Sequence, residues 1–134
     1  MKKDSYKLPK NLYYNKDYSW VKIEGDTAIV GIIEPAAKRV KEFVFIMLPK
    51  KGKKIKIGET YVSLEAIKWS GHLSSPVLGE IIDVNESLFD NPSKINKKPY
   101  DSWIMKVKLD NKEQIKKLYK ADDIIKWLKE KMGD

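Results

Sequence analysis

The chain has 134 residues, with 27 Lys and Arg against 19 Asp and Glu and a net charge of +8. Its 42% of hydrophobic residues suffice for one domain with a real core. The absence of cysteine excludes disulfide scaffolds, thiol catalysis, Cys-zinc sites and iron–sulfur ligation, and a single histidine, His72, leaves no His-rich metal site. The longest unbroken apolar run, Phe43 to Leu48, is far short of the roughly 20 residues of a membrane span, so no membrane partner is expected. Met1–Tyr6 has lysines but no long apolar stretch behind them, which gives the expectation of a cytoplasmic protein. The basic balance favours acidic partners, or it reflects a lysine-rich composition, since Arg39 is the only arginine.

Residues 1–12 are polar and basic, include Pro9, and read as an N-terminal arm to a single domain over 13–134. Trp20–Glu24 alternates as a strand, Gly25-Asp26 is a turn, and Thr27–Ile33 is a β-branched run, so a hairpin is predicted. Pro35 suits the first turn of a short helix over Glu34–Val40. Phe43–Leu48, apolar at every position, predicts a strand covered on both faces. After the charged turn Pro49–Lys54, Ile55-Lys56-Ile57 alternates again.

Thr60, Val62 and Leu64 alternate with Tyr61, Ser63 and Glu65, which predicts a half-buried strand. Ser74-Ser75-Pro76 breaks the chain, and Val77–Val84 is the next strand, interrupted by Gly79. Asn85–Pro99 reads as loop with one helical turn, and Trp103–Leu109 as a last strand. Asp110 or Asn111 and then Asp122 are placed to cap two C-terminal helices, with Ile115, Leu118 and Tyr119, then Ile124, Ile125 and Leu128, as their apolar faces. Many short strands with helical pieces at the edge suit a small sandwich or barrel. Ala28–Ile33 and Pro76–Ile82 echo each other, each a β run with a central glycine, which hints at two halves related by a pseudo-twofold. Val62, Leu64, Val77, Ile81, Val107 and Trp20 are predicted to face the core.

Two strands flank Glu65-Ala66-Ile67-Lys68-Trp69-Ser70-Gly71, which puts Lys68 at a hairpin tip where it packs and caps nothing. A lone exposed lysine there is by itself an ordinary solvated side chain. The context changes that reading. Glu65–Lys68, followed by Ser75-Pro76-Val77-Leu78-Gly79-Glu80, resembles the lipoyl-lysine hairpin of the glycine cleavage system H protein family. Tyr14–Val21, Thr27–Ile32, Phe43–Pro49, Asp83–Leu88, Asp90-Asn91-Pro92, Ile95-Asn96, Pro99-Tyr100 and Trp103–Val107 resemble further stretches of the family in order. The biotin carriers share the fold, but their motif flanks the lysine with methionine, where Ile67 and Trp69 stand here.

The resemblance implies a mainly β fold, a flattened β sandwich or barrel-sandwich hybrid of lipoyl-domain type with short helices and a helical C-terminus. It implies lipoate in amide linkage to Lys68, with Glu65, Ala66, Ile67 and Trp69 forming the turn that a lipoate ligase reads. It implies a monomeric carrier with no catalysis of its own, whose tethered arm replaces diffusion with a high effective concentration. The family's arm-holding carboxylates belong at the positions of Ser19 and His72; both are missing, and Asp17 is a partial substitute near the arm. Lysines replace acids at the turn Lys50–Lys56 and at Lys97-Lys98, which alters the partners that can dock.

These departures lead to the expectation of a carrier for a heterodisulfide-reductase-like sulfur oxidation complex. The alternative is a glycine cleavage carrier that serves glycine decarboxylase, aminomethyltransferase and dihydrolipoamide dehydrogenase. A basic β domain binding single-stranded nucleic acid through Tyr13, Tyr14 and Tyr18 is the outlying reading; nucleic acid is not among the expected partners.

Overall fold

The computed structural model describes residues 7–132; the first half of the predicted arm lies outside them. Among the described residues nine strands form two antiparallel sheets. β1 (Tyr13–Tyr14), β2 (Ser19–Glu24), β3 (Thr27–Ile32), β9 (Met105–Leu109), β8 (Gly79–Val84) and β5 (Lys54–Ile55) make a six-stranded sheet in that spatial order. β4 (Phe43–Met47), β6 (Thr60–Ala66) and β7 (Trp69–Ser74) make the second. The expected mainly β barrel-sandwich hybrid is what the chain adopts.

Period-two alternation explains the layering. Val21, Ala28, Val30 and Ile32 face the second sheet and share a core with Ile46, Leu64, Leu73, Ile81 and Val107. Their neighbours Trp20, Ile29 and Ile33 point the other way, into a second core with α4 (Ala121–Met132). Leu8 and Leu12, inside the stretch read as an arm, are buried in that second core with Ile124 and Leu128. Trp20 occupies space only a glycine leaves open: a Cβ on Gly31 would come within 2.5 Å of the indole. All six predicted core residues are buried.

Several local readings are corrected. β4 is not covered on both faces: a bulge between Phe43 and Phe45 interrupts its pairing with β6, and Val44, Phe45 and Met47 are exposed. Val77 precedes β8 rather than opening it, because its backbone bonds the Ser75 hydroxyl instead of a neighbouring strand. Trp103 and Ile104 likewise precede β9. The loop after β8 holds two short helices, α2 (Ser87–Asp90) and α3 (Lys94–Lys97). Asn111 caps the next helical piece, accepting from the Glu113 amide, but Lys112–Lys117 is 3-10 rather than α-helix. Asp122 does not cap α4; it lies in the first turn, where a carboxylate favours the positive end of the helix dipole.

The two glycine-centred runs supply β3 and β8, which flank β9 on either side. Among the described residues no helix is long and apolar enough to cross a membrane.

Candidate functional site

β6 and β7 form a hairpin whose last pair is Ala66 with Trp69, so Ile67 and Lys68 alone make the turn. Ile67 is 83% exposed, and Lys68 is exposed beside it. Among the described residues Lys68 makes no ion pair, so its amine is open to a modifying enzyme. Glu65 is exposed across the strand from Ser70, and Ala66 is half-buried. Trp69 folds back along β7: its indole fills the space where a Gly71 Cβ would sit, 2.6 Å away, and its ring centroid is 6.1 Å from that of Phe43.

The base of the hairpin is fastened at both strands. The Asp17 carboxylate accepts from the Ser74 amide and hydroxyl, each at 2.7 Å, at the end of β7 remote from the turn. Asn15 Nδ2 donates to the Ser74 carbonyl at 3.1 Å. On β6, Tyr61 is buried with its hydroxyl 2.6 Å from Ser19 Oγ. Burial pushes the Tyr61 phenol well above its ordinary range, only partly offset by the Ser19 bond. These bonds leave Lys68 at the free end of a short lever with a fixed root.

A cleft of about 870 Å³ opens beside the turn, within the range of roughly 300–1,000 Å³ usual for ligand pockets. Ile67, Lys68 and Trp69 line it together with Phe43 and Leu73 from the strands and Tyr18 from the β1–β2 connection. Its rim is contributed by α1 (Glu34–Arg39), the following Lys41 and Glu42, and the end of α4 at Lys131 and Met132. The Arg39 guanidinium donates to the Met132 carbonyl at 3.0 Å and ties the two helix ends together. An exposed amine on a narrow turn beside a largely apolar cleft suits a flexible apolar appendage: the amine can form an amide, and the cleft can shelter the chain attached to it.

The three residues expected near the arm do not line this cleft. Ser19 is fully buried on Tyr61, and Asp17 is engaged by Ser74. His72 lies on the opposite face of the hairpin, in a separate groove with Phe45, Met47 and Glu65. None of the three lines the cleft; Tyr18, between Asp17 and Ser19, does. Neither lysine-rich loop reaches the cleft, and Lys53 and Lys54 are paired with Glu59 and Asp110. Sequence reading did not place Tyr18 in the cleft and passed over Glu42 and Met132, which no local motif marks.

The chain matches the family model described as glycine cleavage H-protein over residues 12–131. It is 40% identical over 126 residues to the "Probable glycine cleavage system H protein" of Pyrococcus abyssi, covering 92% of this chain and 94% of that one. It is 36% identical over 124 residues to the "Glycine cleavage system H protein" of Halothermothrix orenii, covering 92% and 97%. The crystal structure of a glycine cleavage system H protein from Mycobacterium marinum superposes with a TM-score of 0.79 at 27% identity, covering 90% of this chain and 98% of that one. The chain belongs to the glycine cleavage H-protein family.

Proposed function

We propose that this protein is the lipoyl carrier of a glycine cleavage system, bearing lipoate in amide linkage on Lys68 Nζ. One observation carries the assignment: Lys68 is an exposed amine on a two-residue turn that opens onto a cleft. The residues fit the group. The turn gives a ligase access, Glu65 and Trp69 frame it, and the apolar walls at Phe43, Leu73 and Trp69 suit an acyl chain ending in a dithiolane. The bound group supplies a pair of sulfurs able to hold a cargo and to cycle between disulfide and dithiol. The protein's residues present that group, hold the hairpin at its root, and shelter the arm between visits to glycine decarboxylase, aminomethyltransferase and dihydrolipoamide dehydrogenase.

The names of the relatives support the glycine cleavage role over the sulfur-oxidation role that the substitutions at Ser19 and His72 suggested. Both side chains lie away from the cleft, which removes the geometric basis of that suggestion.

Incubation with a lipoate ligase is expected to add one lipoyl mass at Lys68 and none to Lys68→Arg, whose guanidinium is not acylated. The lipoylated protein is then expected to support exchange of labelled bicarbonate into glycine with a pyridoxal-dependent glycine decarboxylase. Modification of Lys68→Arg would overturn the attachment site, and absence of exchange would overturn the pathway.

A further inference from the structure

We infer that Glu42 is the side chain that holds a cationic cargo on the arm, in the role expected of the positions occupied by Ser19 and His72. The inference rests on the glycine cleavage reading above, because an aminomethyl cargo is cationic. Among the described residues that line the cleft, Glu42 is the one carboxylate, and it shares that cleft with Lys68. It makes no ion pair among the described residues, although Lys41 and Arg39 line the same cleft.

The backbone sets its position. Lys41, directly after the C-cap of α1, takes φ 73°, the left-handed conformation that commonly ends a helix. This turn reverses the chain from α1 into β4, with the Glu42 amide bonded to the Val40 carbonyl at 2.9 Å. The next residue, Phe43, is anchored by its amide to Asn96 Oδ1 at 2.8 Å and forms the cleft wall that Trp69 packs against.

Two of the rim cations have other tasks. Arg39 and Lys131 stand in the last turns of α1 and α4, where positive charge complements the helix dipole, and Arg39 is committed to the Met132 carbonyl. Among the described residues the Glu42 carboxylate has no such engagement, and an ammonium group is its natural partner.

The test uses stable mimics of the cargo. Because the chain has no cysteine, the thiols of the reduced arm are the only ones present. 2-Bromoethylamine gives an aminoethyl arm as each thiolate displaces bromide and a C–S bond forms. Iodoethane gives a neutral ethyl arm, and iodoacetate an anionic carboxymethyl arm, each with loss of iodide. The aminoethyl protons are expected to show NMR cross-peaks to the Glu42 side chain, absent with the ethyl arm and lost in Glu42→Gln. Glu42→Asp is expected to restore them in part. Retention of the natural cargo is expected to fall about two- to fivefold in Glu42→Gln, the effect of one exposed charge pair.

An aminoethyl arm without contact to Glu42, contacts unchanged in Glu42→Gln, or a carboxymethyl arm that occupies the cleft in its place would overturn the inference. These NMR outcomes are independent of bicarbonate exchange by the wild type, so failure of the pathway reading and failure of the Glu42 role are read separately.

Discussion

The hydroxyls of Ser19 and Tyr61 lie 2.6 Å apart with both residues buried, joining the first long strand of the six-stranded sheet to the strand that carries the lysine hairpin. Each satisfies the other where water is excluded. Tyr61→Phe or Ser19→Ala alone should therefore cost about 1–3 kcal/mol by leaving one buried oxygen unpaired. The double variant should cost less than the sum. Urea unfolding of the four proteins checks this, and strict additivity would show that the two hydroxyls are not coupled.

Stability should also fall at high pH. The Tyr61 phenol is raised by burial in the folded state, so its neutral form favours folding. That contribution is fully present below the unfolded value of 10.0 and is lost as pH rises from there toward the folded value. The expected slope from this one group is about 1.4 kcal/mol per pH unit above pH 10. Urea midpoints compared between wild type and Tyr61→Phe from pH 9 to pH 11.5 should converge; parallel curves would remove Tyr61 as the cause.

Asp17 should matter for the hairpin's root rather than for cargo. Loss of two hydrogen bonds from its carboxylate to Ser74 in Asp17→Ala should cost about 1.5–3 kcal/mol. Amide exchange should accelerate at Ser74 and leave the β2–β3 hairpin unchanged. Unaltered exchange at Ser74 would mean that the Asn15 bond alone secures the strand.

Gly79 on β8 and Gly71 on β7 should respond differently to alanine. A Cβ on Gly79 would meet the Lys108 carbonyl oxygen at 2.1 Å, and backbone on both sides of that contact is paired. Gly79→Ala should thus prise β8 from β9 and destabilise by about 3 kcal/mol or more. A Cβ on Gly71 meets the Trp69 ring at 2.6 Å, and that side chain can rotate. Gly71→Ala should cost little stability while shifting Trp69. Similar melting temperatures for the two variants would contradict this.

The hairpin tip was legible because two alternating strands converge on it, and an amine at the turn is a local property of the chain. Tyr61 was not legible. A bulge between Thr60 and Val62 turns both Tyr61 and Val62 inward, and simple alternation assigns one of them to solvent. The apolar run Phe43–Leu48 misled in the opposite direction, since exposed Val44 and Met47 imitate a doubly covered strand. The cleft itself has no local signature. Its walls come from positions as far apart as Tyr18, Glu42, Trp69 and Met132, and only the packing of α1 and α4 around the hairpin brings them together. Ser19 and His72 are read as arm partners from their position in a motif, and the motif does not carry the direction of their side chains, which point away from the cleft.

Trp69 gives the molecule an optical probe of its own. Of the four tryptophans it alone lines the cleft, and at 40% exposure it sees both solvent and whatever enters. Trp20 is sealed beneath Tyr100 and Pro99, while Trp103 and Trp127 lie outside the cleft wall. Trp127 touches the cleft only through Tyr18, so a change in indole emission as a ligand enters or leaves the cleft reports first on Trp69. Trp69→Phe supplies the dark control, so the time course of docking can be followed in a stopped-flow cell.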